Sequence, residues 1–312
     1  MTTTSQKKTK RMLIMFFVLA FAISWTIWLP LLLFPARADQ LDFLVLIGVY
    51  GPFLVGIVTV LIYDGRAGLW NWLKSVFKWR IPIRWYFIGG VLINFLFVAL
   101  HIGLYLLLGG RLLLANGDIP WYGYLLIFPV SVFLGFPFGS GLGEEAGWRG
   151  FALPKLLERF SPVTASVILG AIWGLWHIPV LLMSTWEGAT QGILLFVYVI
   201  PLSMIMTWVY CRSRGSAIPV MLMHTGGNLY GSMLTSSLIL ETVLVDSPGL
   251  DFTILKTIYY TVVAVVLIIA TKGQLGYSGE EDAVPILSGS VSEVEKRLPE
   301  QPVMYQDRAI NS

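Results

Sequence analysis

Long runs of apolar residues are the feature that most limits what this chain can fold into. A helix that crosses a bilayer needs about 20 mostly apolar residues, and the sequence holds eight segments of that kind. They are Met12–Phe34, Leu41–Tyr63, Trp85–Leu108, Tyr122–Leu142, Pro162–Met183, Gly192–Tyr210, Ala217–Leu240 and Phe252–Ala270. Because lipid offers no partners to an unpaired backbone, we predict an all-α polytopic membrane protein with about eight transmembrane helices.

Composition excludes the soluble alternatives. Charged residues make up 12% of the 312 residues, whereas soluble domains carry about 25%. The net charge of +3 is too small to indicate a nucleic-acid partner. The single cysteine, Cys211, excludes an internal disulfide framework and a thiolate metal cluster.

The basic residues predict the orientation of the chain in the membrane. All of the 21 Lys and Arg residues except Arg37, Arg111 and Lys256 lie at the two termini or after the second, fourth and sixth apolar segments. Lys and Arg concentrate in cytoplasmic loops. We therefore expect a multi-pass protein of the cell membrane with both termini in the cytoplasm.

The ends of the chain differ in character from its middle. Residues 1–11 form a basic segment that we expect to be cytoplasmic, and residues 12–270 form the transmembrane domain. The first apolar segment, Met12–Phe34, is longer than the roughly 7–15 residues of a signal-peptide core, so we expect a retained helix. Residues 271–312 carry scattered charge, Gly, Ser and Pro, and are predicted to be a disordered cytoplasmic tail.

Aromatic and basic residues alternate between the second and third apolar segments. Trp70, Trp72 and Trp79 are interleaved with Lys74 and Lys78 there. This pattern is typical of an amphipathic helix that lies on the inner leaflet. An ordinary basic loop with aromatic anchors explains it equally well.

Ionisable residues inside apolar segments indicate function by default. Of the three histidines, His101 lies near the end of the third segment and is interpreted as structural. His177 lies inside the fifth segment, where Pro179 removes a backbone donor. His224 and Asn228 share one face of the seventh segment because they are four residues apart. For each, hydrogen bonding between helices is the alternative to function.

A pair of carboxylates follows the fourth segment. Glu145 and Arg149 are four residues apart, which by itself describes a surface ion pair on a helix. Glu144 is then an additional carboxylate, free to exchange a proton. For Glu144 to meet His177, the fourth helix must carry Glu144 into the bilayer, so we expect that helix to end later, past Pro154.

Three short sequence motifs, which follow one another along the chain, resemble those of a known family. Residues Glu144–Pro154, with the sequence EEAGWRGFALP, resemble the EExxxRG signature of the CPBP family of intramembrane proteases. That family, also called Abi, covers CAAX proteases and bacteriocin-processing proteins and includes the type II CAAX prenyl endopeptidases. Trp173–Pro179 resembles its second motif and His224–Asn228 its third. The resemblance covers roughly residues 122–240.

This resemblance implies an intramembrane endopeptidase with a catalytic cavity open to the cytosol. It implies that Glu144 and His177 activate a water molecule, and that Glu145 and Arg149 orient the site. A base for water is what peptide hydrolysis requires. No cofactor is expected.

The resemblance also implies an oxyanion site and a class of partner. His224 and Asn228 would stabilise the negative charge that develops on the substrate, where donors are worth several kcal/mol. The expected substrates are membrane-associated peptides or proteins, including prenylated CAAX-type sequences. The expected partners are thus the lipid bilayer and a peptide or protein, and no nucleic acid.

Two other interpretations stay open from the sequence. Glu144, His177 and His224 form an alternative zinc set, since one Glu and two His ligands with an open position are a known catalytic combination. A transporter or membrane adaptor could use the buried Glu and His groups as a proton relay. Transporters often contain repeated halves, and we find no internal repeat in this sequence.

Overall fold

The computed structural model describes residues 3–109, 129–182, 188–235 and 252–278. Every regular element in these ranges is helical. The helices are α1 (Thr3–Leu33), α2 (Ala38–Leu41), α3 (Phe43–Val49), α4 (Gly51–Val76), α5 (Arg84–Phe87), α6 (Ile93–Leu107), α7 (Pro129–Phe138), α8 (Ser140–Gly147), α9 (Leu153–Leu157), α10 (Pro162–Trp176), α11 (Ile178–Leu181), α12 (Gly188–Arg212), α13 (Ile218–Thr235) and α14 (Phe252–Ala270). Two π-helical turns, Ile88–Leu92 and Trp148–Ala152, join α5 to α6 and α8 to α9.

Five helical spans in the described ranges are long and apolar enough to cross a membrane. They are Thr4–Leu33, Phe43–Val76, Arg84–Leu104, Ile193–Arg212 and Thr253–Ala270. Two shorter apolar helices, α7 and α10, lie between them in the sequence. The prediction of an all-α, multi-pass membrane protein is confirmed, and the count of eight helices stays a prediction.

The fourth and fifth predicted spans are not single straight helices. The backbone is extended at Gly139, with φ −133° and ψ −167°, so α7 and α8 are separate. A second break falls at His177, between α10 and α11, because Pro179 has no N–H to donate to the preceding turn. Both breaks lie beside predicted site residues. Residues 122–128 and Met183 of these two spans lie outside the described ranges.

The basic aromatic segment after the second apolar segment of the sequence is helical as far as Val76. Gly65 has φ 68° and ψ −168°, so residues 66–76 form a helix at an angle to the first part of α4. Its two faces differ, since Trp72 is 1% exposed and Trp70 is 60% exposed. The segment is therefore an amphipathic helix, and Phe77 and the residues after it leave the helix.

The structure describes both the basic N-terminal segment and His101. α1 begins at Thr3, so the basic N-terminal segment is already helical from that residue. His101 is buried on α6 with its ring 6.3 Å from that of Phe97, and its position agrees with a structural role.

α8 lies between α4 and α13, and its backbone comes very close to the backbones of both helices. A Cβ atom on Gly141 would lie 2.6 Å from the Met221 carbonyl oxygen of α13. A Cβ atom on Gly147 would lie 2.5 Å from the Pro52 carbonyl carbon and oxygen of α4. Only glycine permits these approaches, and they bring the carboxylates of α8 close to the imidazole of α13.

Candidate active site

Glu144, Glu145 and Arg149 are buried together where α8 meets the following π-helical turn. Their exposed fractions are 2%, 0% and 0%. Successive residues of a helix point about 100° apart, so the two carboxylates face different neighbours. Glu144 faces His177 and the end of α10, whereas Glu145 faces Arg149 and α13. The helical path continues through Pro154 to Leu157, as the sequence predicted.

Two hydrogen-bond donors, Arg149 and His224, hold Glu145. Arg149 Nη1 donates to Glu145 Oε1 over 3.0 Å and lies 2.9 Å from Oε2. His224 Nδ1 lies 2.7 Å from Glu145 Oε1 and donates to it. The interpretation of Glu145 and Arg149 as a surface ion pair is wrong, because both side chains are fully buried. A buried pair is strongly destabilised when one partner is removed.

Trp173 connects the ion pair of Glu145 and Arg149 to the other carboxylate, Glu144. The Arg149 guanidinium carbon lies 4.4 Å from the centre of the Trp173 ring, so the indole face stabilises the cation. The Trp173 Nε1 atom donates to Glu144 Oε2 over 2.6 Å. Sequence reasoning recognised Trp173 only as the aromatic of a motif. The signal that points to its role is that a buried indole N–H usually needs an acceptor.

The tautomer of His177 follows from its contact with Trp173. His177 Nδ1 lies 2.7 Å from the Trp173 carbonyl oxygen, and a carbonyl oxygen only accepts. Nδ1 therefore carries the proton, and in the neutral ring Nε2 presents a lone pair. His177 Nε2 lies 3.9 Å from Glu144 Oε2. This distance is too long for a hydrogen bond and suits one water molecule between the two acceptors.

His224 approaches Glu144 with its other nitrogen. His224 Nε2 lies 3.8 Å from Glu144 Oε1, while Nδ1 donates to Glu145. Nε2 can donate to an oxyanion only when the ring is an imidazolium. An imidazolium at His224 together with Arg149 would match the charge of the two carboxylates.

Asn228 lies at the edge of this cluster. Its side chain is exposed, and Nδ2 donates to Ser140 Oγ over 2.6 Å. Asn228 is one turn from His224 on α13, and Ser140 is one turn before Glu144 on α8. Sequence reasoning missed Ser140, although the four-residue spacing to Glu144 places the two on one helix face.

The alternative zinc set consists of three side chains that approach one another at Glu144. His177 Nε2 and His224 Nε2 approach different oxygens of Glu144, at 3.9 and 3.8 Å. Across the part of the chain that the structure describes, no group of three or more His, Cys, Asp or Glu side chains is arranged to hold a metal ion.

Residues 126–230 match the family described as type II CAAX prenyl endopeptidase Rce1-like. This part of the chain is similar to that family. The Rce1-like region contains every residue of the cluster, from Ser140 on α8 to Asn228 on α13. The resemblance found from the three motifs is confirmed.

One curated relative extends this finding. The chain is 34% identical over 98 residues to CAAX prenyl protease 2 of Methanococcus maripaludis. The aligned part covers 29% of this chain and 36% of the relative. The chain thus spans about a third of the length of the curated relative that it matches.

Proposed function

We propose that this chain is an intramembrane endopeptidase in which Glu144 and His177 activate a water molecule. The observation that carries the proposal is the 3.9 Å separation of Glu144 Oε2 and His177 Nε2. Trp173 orients both groups, through its indole N–H and its carbonyl oxygen. Two acceptors at this spacing bind and polarise one water, which is the general-base arrangement that hydrolysis requires.

The reaction proceeds by addition and collapse. The water oxygen forms a bond to the carbonyl carbon of the scissile peptide, and its proton passes to Glu144. The former carbonyl oxygen carries the negative charge, which the His224 imidazolium and the Asn228 amide stabilise. The carbon–nitrogen bond then breaks, and the proton on Glu144 passes to the leaving amine. The chain's own side chains supply each of these groups, with no step through a metal.

The proposed substrates are membrane-associated peptides or proteins, including prenylated CAAX-type sequences. Two facts support this class: the similarity of residues 126–230 to the Rce1-like family, and the similarity of the chain to the methanococcal CAAX prenyl protease. A multi-pass membrane protein meets substrates that are already at the bilayer. We further propose that the protein lies in the cell membrane with both termini in the cytoplasm, as the distribution of Lys and Arg indicates.

The experiment that tests the proposal is peptide cleavage by the purified full-length protein in lipid vesicles. A farnesylated CAAX peptide and the same peptide without the lipid serve as substrates. The wild type should release the C-terminal fragment from the first. Glu144→Gln keeps the shape of the side chain but cannot accept the proton, so cleavage should fall to background, and His177→Ala should do the same.

Controls separate the base from general damage and from a metal. Glu158→Gln makes the same chemical change outside the cluster and should leave cleavage unchanged. A chelator should have no effect on the wild type. Near-normal cleavage by Glu144→Gln would remove the proposed base, and loss of activity with chelator, restored by zinc, would replace it with a metal-bound hydroxide.

A further inference from the structure

An open surface cavity of about 510 Å³ lies outside the catalytic cluster, along the amphipathic helix of residues 66–76 and the segment that follows it. Three basic and three aromatic side chains contribute most of its lining: Lys74, Lys78, Arg80, Trp70, Phe77 and Trp79. We call it the basic cavity. Neither the catalytic cluster nor the proposed peptidase reaction uses any of these residues.

The basic cavity carries uncompensated positive charge. Residues 66–84 contain five Lys or Arg residues and no Asp or Glu. Lys78 Nζ donates to the Arg214 carbonyl oxygen over 2.9 Å, a neutral partner. Within the described ranges, no carboxylate forms an ion pair with Lys74 or Arg80. The charge is therefore available to an anionic ligand.

The same cavity carries exposed aromatic surface directly beside its cations. Trp70 and Trp79 are 60% and 65% exposed. Lys74 Nζ lies 5.2 Å from the Trp70 ring centre, and the Arg80 guanidinium lies 5.0 Å from that of Trp79. Tryptophan is enriched at the level of lipid headgroups, where one side of the ring is wet and the other apolar. A soluble acidic partner would explain the cations but would leave these rings in water.

We propose that the basic cavity binds the phosphate headgroup of an anionic phospholipid. The cations bind the phosphate, and the tryptophan rings contact the glycerol and the upper acyl chain. Anionic lipid surfaces attract juxtamembrane basic residues with about 1 kcal/mol for each Lys or Arg. Three cations around one cavity thus distinguish an anionic headgroup from a zwitterionic one.

The lipid site is joined to the elements that carry the catalytic groups. On the opposite face of the amphipathic helix, Trp72 Nε1 donates to the Gly150 carbonyl oxygen over 2.9 Å, and Gly150 follows Arg149 in the π-helical turn. On the other side, Ser216 Oγ donates to the Lys78 carbonyl oxygen over 2.7 Å, just before α13. A bound headgroup therefore stabilises the segment against which both catalytic elements pack.

Lipid binding can be measured without reference to activity. The full-length protein in detergent is titrated with phosphatidylglycerol or phosphatidylcholine of identical acyl chains, and bound lipid is counted by native mass spectrometry. Phosphatidylglycerol should bind more tightly than phosphatidylcholine. This difference in affinity should be limited to the first bound lipid molecule. Inorganic phosphate should not displace it at equal concentration. Equal binding of both lipids, or displacement by free phosphate, would overturn the proposal.

Two double variants locate the site. Lys74→Gln with Arg80→Gln should weaken phosphatidylglycerol binding about 25-fold, since each basic residue contributes about fivefold. Arg11→Gln with Arg66→Gln removes the same charge from exposed positions outside the cavity and should leave the preference intact. Lys74→Arg with Arg80→Lys retains the charge and should bind as the wild type does. Equal losses in the two Gln pairs would show a diffuse surface effect and no site.

Discussion

The Trp173 indole nitrogen donates to Glu144 Oε2 over 2.6 Å, while the carbonyl oxygen of the same residue accepts from His177 Nδ1. A single residue thus orients the carboxylate and fixes the imidazole tautomer. The carbonyl contact is available to any amino acid at this position. The indole contact is not, since phenylalanine would fill the space without a donor.

Trp173→Phe is expected to impair hydrolysis through the lost hydrogen bond to Glu144. Loss of a hydrogen bond to a charged group costs about 1.5–3 kcal/mol, so turnover at neutral pH should fall about tenfold or more. The carboxylate then holds its proton more tightly, so activity should recover partly as the pH rises. The measurement is the pH–rate profile of peptide cleavage.

Trp176→Phe provides the matched control. The Trp176 Nε1 atom is buried and has no hydrogen-bond partner among the described residues, so removing it deletes no contact to Glu144. This variant should keep the wild-type pH profile. Identical profiles for Trp173→Phe and Trp176→Phe would show that only ring packing matters.

Asn228→Ala is expected to lower turnover by a factor of about 10²–10³, the usual scale for loss of one oxyanion donor. Ser140→Ala should have a smaller effect, because Ser140 only accepts a hydrogen bond from the Asn228 amide and orients it. Single-turnover kinetics on the farnesylated peptide would measure both. A larger loss in Ser140→Ala than in Asn228→Ala would contradict the assignment of the amide as the donor.

Arg149→Ala should reduce stability as well as activity. It leaves the Glu145 carboxylate buried without its cation and removes the charge over the Trp173 ring. Breaking a buried ion pair by removing one partner costs about 3–5 kcal/mol. Thermal unfolding in detergent should shift to clearly lower temperature, whereas Glu144→Gln should unfold near the wild-type temperature. A wild-type melting profile for Arg149→Ala would contradict this structural role.

We predict a pH dependence of stability from Lys155 on α9, which lies outside the apolar segments predicted to cross the membrane. It is 7% exposed, with Nζ 4.4 Å from the Phe151 ring centre, and burial lowers the pKa of its ammonium from the ordinary 10.5. Between the lowered pKa and 10.5, the unfolded chain binds a proton that the folded chain has lost. The free energy of unfolding should therefore rise with pH through that window.

Lys155→Met should abolish this rise and increase stability at neutral pH, because it replaces a buried cation with an apolar side chain. Melting temperatures across the pH range would measure both effects. The exposed Lys272, replaced in the same way, is the control and should leave the pH dependence as in the wild type. A rise that persists in Lys155→Met would assign it to another group.

The orientation in the membrane is tested at the C-terminal tail. Ser290→Cys places a thiol where the basic-residue pattern predicts cytoplasm. The native Cys211 is buried and contributes little background. A membrane-impermeant maleimide should label this variant in broken but not in intact cells. Labelling of intact cells would reverse the orientation.

Much of this architecture could be predicted from local sequence. The length of an apolar run indicates a membrane helix, and the four-residue spacings of Glu145 with Arg149 and of His224 with Asn228 indicate shared faces. The missing parts depend on contacts between distant segments. The hydrogen-bond partner of the Trp173 indole, Glu144, is 29 residues away in the sequence. The helix break at Gly139 could not be predicted either, because a glycine can adopt an extended or a helical backbone.

The three glycines of α8 have a further consequence for the order in which the molecule assembles. Glycine is about 1 kcal/mol less favourable than alanine in a helix, and α8 holds three of them in eight residues. Such a segment has little tendency to form a helix on its own, so we expect its carboxylates to reach their positions only when α4 and α13 pack around it. We therefore expect the proposed pair of Glu144 and His177, and with it any cleavage of peptides, to form last, in the fully packed protein.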